Sequence, residues 1–370
     1  MFFYGDDRLD AMMEQKNASN RTPANSFTGG NYPFKLTVIV PCYNVENYLA
    51  TSLHCLERQW DDESLEMVFI NDCSTDGTIN MLREFCERHP DNTQLIDKPE
   101  NQGVSRARND GLSVARGKWI VFLDPDDALK DGAYRYLYEH FITDDIQILS
   151  FKTNIIEKAD GFEKILAEGK LEEYSTDLIE WEGSGTEFFE KYLAKVCWIF
   201  FYSHQLITDL GVKFRNLSYL EDNMFNMDLL LQDYPLRVRR VKCRCHYWIH
   251  HNYSLSNIRY SSAQKNSRML SNIITGVGAM QQKKEETTDK ELKARIAWNQ
   301  TDSLQSIAPL ALRSDMSCKK ISGMRKQLME WKVYPYTGGA KGKIYDLFLH
   351  FPTSLMVVRP LIKVFDRFAK

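Results

Sequence analysis

The sequence lacks a long apolar segment, and it lacks an excess of charge of either sign. No stretch approaches the roughly 20 consecutive apolar residues that a membrane-spanning helix needs. The aromatic start at residues 1–4 is followed at once by Gly5-Asp6-Asp7, which leaves no apolar core for a signal peptide. The formal net charge of -3 offers none of the basic surface that nucleic-acid binding requires. We therefore expect a cytoplasmic protein with no nucleic-acid partner.

The cysteines lack the spacing of a zinc site. None of the 8 belongs to a Cys-x-x-Cys pair with histidines at zinc-binding distance. The nearest approach is Cys243-Arg244-Cys245, which alternate residues of a strand in a reducing compartment explain better. No internal repeat is present either. The chain of 370 residues is long enough for one large domain or a domain and a half.

Buried strands and helices alternate in the first half of the chain. Residues 1–33 are polar and without period, and they are interpreted as a flexible N-terminal arm. Apolar runs at 36–40, 67–70 and 119–123 and a short segment at 94–96 are predicted to be strands, and residues at helical spacing separate them. This alternation predicts an α/β fold with a mostly parallel, Rossmann-like sheet covered by helices. Ligands bind such sheets beyond the carboxyl ends of the strands.

The second half is less regular. It contains a predicted strand at 146–151, an aromatic block at 198–202, an acidic pair at 221–222 and a strand-like run at 238–248. Beyond about residue 262 the composition becomes helical and charged.

The apolar run at 119–123 ends in Asp124-Pro125-Asp126. Two carboxylates this close repel each other unless a cation lies near them. Mg²⁺ is typically held by one or two carboxylates together with substrate phosphates. The alternative is a pair of turn or helix-cap acids before Ala128-Leu129.

Four motifs follow one another in a fixed order. They are VIVPCYN at 38–44, FINDCSTDGT at 69–78, NQGVSRARNDG at 101–111 and FLDPDD at 122–127. Together they resemble the nucleotide-binding half of family 2 glycosyltransferases of the GT-A fold, over about residues 35–135. The resemblance implies a GT-A domain with a nucleotide-sugar-binding half at 34–135 and an acceptor-binding half at 136–261. A helical C-terminal region at 262–370 would follow.

The resemblance also implies the residues that bind the base. Pro41 and Tyr43 would line the base pocket, with Tyr43 stacking on uracil, and packing at the strand end is the alternative for this tyrosine. Asp72 would accept a hydrogen bond from the uracil imide and so select uridine. The family often has two aspartates here, and this sequence has Asn71-Asp72, which keeps the second.

Four further residues are implied for the phosphate side. Asn101 and Arg108 would bind the base or the diphosphate, although a solvated helix face is the alternative for Arg108. Asp124 would lie at the ribose and the metal, and Asp126 would bind Mn²⁺ or Mg²⁺ directly.

The family carries an acidic pair where this chain has Glu221-Asp222. The resemblance implies that Asp222 is the catalytic base, since an acceptor hydroxyl attacks poorly until its proton is removed. An acidic pair that complements the dipole of the following helix is the alternative.

Two more segments match the family less closely. Trp198 would border the donor sugar or the acceptor, and core packing explains it equally well. Residues 247–257 resemble a segment that closes over the diphosphate, with Ile249 where the family commonly has arginine. His250 or the neighbouring His251 would take the phosphate or metal role and Ser254 would donate a hydrogen bond, with a surface histidine pair as the alternative.

The C-terminal residues 351–370 form a basic amphipathic pattern. Arg359, Lys363 and Arg367 recur every four residues, which suggests peripheral contact with the inner face of a membrane. A terminal helix that docks on the body of the protein is favoured over this, because Pro360 would disturb a free interfacial helix.

The sequence thus predicts a metal-dependent, inverting glycosyltransferase that uses a UDP-sugar donor and a saccharide or lipid-linked saccharide acceptor. Two rivals are a catalytically silent carbohydrate-binding or scaffolding relative and a nucleotidyltransferase. The latter would need a glycine-rich loop after the first strand, which here reads Pro41-Cys42-Tyr43-Asn44.

Overall fold

The computed structural model describes residues 32–60, 64–156, 178–192, 194–217, 219–249, 262–304 and 307–333. The predictions for the N-terminal arm up to residue 31, for His250, His251 and Ser254, and for the basic C-terminal segment concern residues outside these ranges. Within them, the chain forms a mixed sheet of nine strands with helices against it.

The first half is the parallel α/β unit that the sequence predicted. Its elements are β1 (Phe34–Cys42), α1 (Glu46–Glu57), β2 (Leu65–Asn71), α2 (Thr78–Arg88), β3 (Thr93–Asp97), α3 (Val104–Val114) and β4 (Gly117–Phe122). The four strands are parallel in the order β3-β2-β1-β4. The carboxyl ends of β1, β2 and β4 therefore meet at one edge.

The second half extends the same sheet. Its elements are β5 (Ala128–Leu129), α4 (Ala133–Phe141), β6 (Ile148–Ile156), β7 (Ile179–Ser184), α5 (Gly185–Lys191), β8 (Phe200–Ser203), α6 (His204–Leu210), α7 (Glu221–Leu230) and β9 (Arg237–Ile249). The order continues from β4 as β8-β6-β9-β5, and β7 pairs with β9. Strand β8 is antiparallel to both β4 and β6, so it joins the two halves.

The two faces of the sheet carry two apolar cores. Val38 and Val40 of β1 point into the core beneath α1 and α2, and the intervening Ile39 points into the core beneath α3. This alternation is the strand period of two, and it explains why a strand covered on both faces appears as an unbroken apolar run. Helix α3 lies close to the sheet because Gly111 has no side chain: a methyl group there would come within 2.5 Å of Ile39.

The described part of the C-terminal region, residues 262–304 and 307–333, is helical, as predicted. Its described helices are α8 (Ala263–Glu286), α9 (Lys290–Ser303), α10 (Ile307–Arg313) and α11 (Cys318–Glu330). These helices share a core of their own, yet Met280, Leu292 and Ile296 pack with Met224 and Phe225 of α7. The apolar interior thus continues across residue 262. In the described part of the chain, no helix is both long enough and apolar enough to cross a membrane.

Candidate active site

Tyr43 lies just beyond the end of β1. The preceding Pro41 is buried within the strand, whereas the side chain of Tyr43 is 48% exposed. Packing at the strand end would bury the ring, so its exposure favours a surface on which a planar base could stack. The predicted contact with uracil stays a prediction.

Asp72 lies at the end of β2 and is only 3% exposed. Its two carboxylate oxygens accept hydrogen bonds from the backbone N–H groups of Gln102 (3.0 Å) and Gly103 (2.7 Å). The Nζ of Lys98 lies 2.9 Å from the same carboxylate, and Asn101 donates to the Asp72 carbonyl at 3.1 Å. A carboxylate has about four lone-pair positions, so room remains for one further donor. Its selection of uridine stays a prediction.

Sequence reasoning missed Lys98, although a signal existed. It follows β3 directly, and the carboxyl end of β3 belongs to the same edge of the sheet as that of β2. Lys98 is buried between the carboxylates of Asp72 and Asp110, with Nζ 3.2 Å from the latter. It therefore balances the charge of Asp72.

Arg108 joins residues that are far apart in the chain. Its guanidinium is 3% exposed, and Nη2 lies 3.1 Å from the Asp124 carboxylate. Its Nη1 lies 2.6 Å from Asp222 and 3.2 Å from Glu221. We call these four residues the Arg108 cluster. The burial excludes the solvated helix face that was the alternative for Arg108, and its predicted contact with the donor stays a prediction.

The Arg108 cluster contains more negative than positive charge. Burial raises the pKa of Asp124 to about 6, with repulsion from Asp126 and Asp222 adding to it and Arg108 opposing it. Burial, followed by repulsion from Asp222, raises the pKa of Glu221 to about 7. One guanidinium therefore does not compensate the carboxylates around it, and a further cation would stabilise this edge of the sheet.

Asp222 does not cap its helix. The N-cap position of α7 is Leu220, which makes no side-chain capping bond. The Asp222 carboxylate instead accepts from Arg108 and from the backbone N–H of Cys197, the latter at 3.2 Å. The first turn of α7 therefore directs this acid toward Asp124, at the other side of the guanidinium.

The carboxylates suit a hard cation that has other ligands. Asp124 and Asp126 are both partly exposed at the end of β4. Among the residues that the structure describes, no group of three or more His, Cys, Asp or Glu side chains could hold a metal. A site of one or two carboxylates is nevertheless what Mg²⁺ or Mn²⁺ uses when substrate phosphates supply the remaining ligands. The residues present therefore fit such a metal.

Trp198 is 6% exposed and stacks on His246, with ring centroids 4.5 Å apart. The Nε2 of His246 lies 3.3 Å from Asp127 Oδ2, and the other carboxyl oxygen of Asp127 accepts from the Ile249 N–H at 3.1 Å. Burial lowers the pKa of His246 to about 3 and raises that of Asp127 well above its usual range. This burial favours packing for Trp198, and its predicted sugar contact stays a prediction. Sequence reasoning missed the pairing of Asp127 with His246.

Comparison with known proteins shows what the chain is similar to. Residues 37–188 match the model of glycosyl transferase family 2. The chain is also similar to the minor teichoic acid biosynthesis protein GgaB of Bacillus subtilis (strain 168), 38% identical over 112 residues. That match covers 30% of this chain and 12% of GgaB, so the chain spans a small part of this relative.

Solved structures show the same fold. The S. aureus TarS 1–349 structure in complex with UDP-GlcNAc has a TM-score of 0.56 at 17% identity, covering 90% of this chain and 92% of that one. The mannosyltransferase PcManGT of Pyrobaculum calidifontis, in complex with GDP-Man and Mn²⁺, has a TM-score of 0.50 at 15% identity, covering 98% and 94%. The predicted α/β fold of the GT-A type is confirmed.

Proposed function

We propose that this chain is an inverting glycosyltransferase that moves a sugar from a UDP-sugar donor to a saccharide or lipid-linked saccharide acceptor. One observation carries the proposal: a single buried guanidinium contacts both Asp124 of the metal motif and Asp222, the candidate base. The leaving group and the attacking hydroxyl must lie within a few ångströms of each other. A structure that brings these two carboxylates to one side chain supports that arrangement.

The uridine part of the proposal rests on the ends of β1 and β2. Exposed Tyr43 offers a ring for stacking, and Asp72 offers an acceptor for the imide N–H of uracil. TarS was solved with UDP-GlcNAc, whereas PcManGT was solved with GDP-Man. Fold similarity therefore does not indicate which nucleobase the donor carries. The hydrogen-bond acceptor at Asp72 is the reason to favour uridine.

In the proposed reaction, Asp222 takes the proton of the acceptor hydroxyl as its oxygen attacks the anomeric carbon. The bond between that carbon and the donor phosphate oxygen breaks, and UDP leaves with its electron pair. One displacement inverts the anomeric centre. Asp126 and Asp124 would hold a divalent metal, which supplies positive charge at the departing diphosphate when bound. The PcManGT complex with Mn²⁺ supports this assignment for the fold.

The class of acceptor is proposed from relatives. GgaB is named as a minor teichoic acid biosynthesis protein. We accordingly propose that this chain takes part in assembling a cell-surface polysaccharide, with the growing polymer or its lipid-linked precursor as acceptor.

A donor panel tests the proposed activity. The purified chain is incubated with UDP-, dTDP- and GDP-sugars and Mn²⁺, and release of the nucleoside diphosphate is measured with and without saccharide acceptors. We expect release from UDP-sugars that increases with acceptor and disappears in EDTA. Binding of UDP-sugars without any release would instead identify the catalytically silent relative. Faster release from GDP-sugars would contradict the uridine assignment and leave the transferase assignment intact.

A further inference from the structure

The residue that precedes the acidic pair has a rare backbone conformation. Leu220 has φ of +69° and ψ of +8°, in the left-handed region that leucine seldom adopts. It is the N-cap of α7, and its carbonyl accepts the first helical bond, from Met224 N–H at 3.0 Å. The torsion of Leu220 therefore sets the direction in which Glu221 and Asp222 leave the loop. Such a conformation persists where surrounding structure holds it.

Helix α8 of the C-terminal region lies directly against Leu220. A methyl group added at Gly276 would come 2.9 Å from Leu220 Cδ1 and 3.3 Å from its Cβ. Gly276 is buried within α8, so only a residue without a side chain lets the helix approach this closely. The contact places the backbone of α8 behind the strained residue.

Helix α9 holds the residue on the other side of the pair. Asn299 Nδ2 donates to Asn223 Oδ1 at 2.9 Å, and Asn223 Nδ2 donates back to Asn299 Oδ1 at 3.3 Å. Both side chains are almost completely buried. A reciprocal amide pair of this kind fixes the rotation of the first turn of α7, because either partner alone would be left unsatisfied.

We infer that the C-terminal helices position the acidic pair, with Gly276 acting through Leu220 and Asn299 acting through Asn223. The two residues are positioning residues, since neither contacts the carboxylates of the Arg108 cluster in the interactions described above. The inference rests on the proposed role of Asp222. It assigns to residues 276 and 299, far outside the matched segment 37–188, a part in the proposed reaction.

The test compares two glycines of one helix. Gly276→Ala adds a methyl group 2.9 Å from Leu220, and Gly278→Ala adds one 2.9 Å from Trp331, on the side toward α11. Both substitutions raise helix propensity equally. We expect Gly276→Ala to lower kcat about 10- to 100-fold, the size of effect that a small misplacement of a catalytic group produces. The KM for donor should stay unchanged, and Gly278→Ala should keep the wild-type kcat.

A double-mutant cycle tests the route through Leu220. Leu220→Ala removes Cδ1, the atom 2.9 Å from the added methyl group, and leaves Cβ at 3.3 Å. The clash is therefore smaller in this background, and Gly276→Ala should cause a smaller further loss of kcat there than in the wild type. Asn299→Leu, which cannot pair with Asn223, should lower kcat at unchanged donor KM by the second route. Equal kcat for Gly276→Ala and Gly278→Ala would overturn the inference, as would a full additive loss in the double mutant.

Amide hydrogen exchange tests this inference independently of the proposed function. Exchange in residues 219–224 should speed up in Gly276→Ala and remain at the wild-type rate in Gly278→Ala. If Asp222→Asn retains turnover, the base assignment fails, and the exchange contrast alone decides whether the C-terminal helices hold this turn. If Asp222→Asn is inactive and no contrast in exchange or kcat appears, the inference fails and the base assignment stands.

Discussion

At the scale of single residues, Arg108 holds together the acids of the candidate active site. It contacts Asp124, Glu221 and Asp222 with two nitrogens of one planar group, and its side chain is buried. Arginine suits this role because its guanidinium stays charged and presents several donors in a fixed geometry. The same contacts distinguish the two acids of the pair, since Asp222 makes the shorter contact and also receives the Cys197 N–H.

This difference between the two acids predicts that replacing Asp222 and replacing Glu221 reduce turnover by different amounts. Asp222→Asn preserves the shape of the side chain but cannot take a proton, so turnover should fall by about 10²- to 10⁴-fold while the Kd for UDP is retained. Glu221→Gln is the matched control, and it should lose much less. Initial rates with saturating donor and acceptor measure both. Near-normal turnover in Asp222→Asn, with a large loss in Glu221→Gln, would move the base to Glu221.

Glu221 should also make the free energy of unfolding depend on pH. Its native pKa of about 7 lies above the value of about 4.3 in an unfolded chain, so the native state keeps this proton where the unfolded state has lost it. Linkage then makes the free energy of unfolding fall as pH rises from about 4.3 through about 7. Glu221→Gln cannot ionise and should remove this fall.

The measurement is the Tm of both proteins in EDTA at pH 5 and pH 8. The Tm of Glu221→Gln relative to wild type should be higher at pH 8 than at pH 5. A difference that does not change with pH would show that Glu221 titrates normally. Comparing the two proteins cancels titrating groups outside the Arg108 cluster, including His246, whose lowered pKa of about 3 acts in the opposite direction.

At the scale of elements, α3 connects the two halves of the domain. Asp72 holds Gly103, the residue just before its first turn, and Arg108 extends from the helix to α7. Asn109 exchanges two hydrogen bonds with the backbone of Phe214, at 2.8 and 2.9 Å, in the loop before the acidic pair. Helix α3 thus fixes the end of β2 and the start of α7 relative to each other.

Replacing Asp72 should therefore change both nucleotide binding and stability. Asp72→Ala removes the proposed acceptor for uracil, at a cost of about 1–3 kcal/mol, and should weaken UDP more than GDP or ADP. It also leaves the Gln102 and Gly103 N–H groups without their acceptor, and Lys98 with Asp110 alone, so the Tm should fall. Titration calorimetry with the three nucleotides, beside thermal melts, measures both. A uridine preference that survives unchanged, with a lowered Tm, would leave Asp72 a purely structural role.

At the scale of the whole molecule, the spacing of apolar residues along the chain predicted the features that depend only on neighbouring residues. The four parallel strands, the α/β class and the helical C-terminal region follow from apolar periodicity, and they are confirmed. The convergence of Tyr43, Asp72 and Asp124 at one edge follows from parallel pairing. The Arg108 contacts, the insertion of β8 between β4 and β6 and the pairing of Asp127 with His246 are contacts between distant segments. Periodicity contains no information about which distant segments meet, so these features required the structure.

Metal binding should appear as a change in global stability. A ligand that binds only the native state raises its stability by mass action, about 2.7 kcal/mol at 100 times its Kd. UDP with Mn²⁺ should raise the Tm above the value with UDP alone, and Asp126→Ala should abolish this increment while keeping the metal-free Tm. An increment that Asp126→Ala leaves intact would place the metal elsewhere.

The position of β8 has a consequence for synthesis of the chain. Strand β4 is complete at Phe122, but its partner on one side starts only at Phe200. During translation the N-terminal half therefore presents an unpaired apolar strand edge until that later segment has left the ribosome. Open edges of this kind recruit other strands, and contacts between distant segments form slowly. We expect a fragment that stops at residue 135 to aggregate, and the full chain to fold slowly and to benefit from chaperones during overproduction.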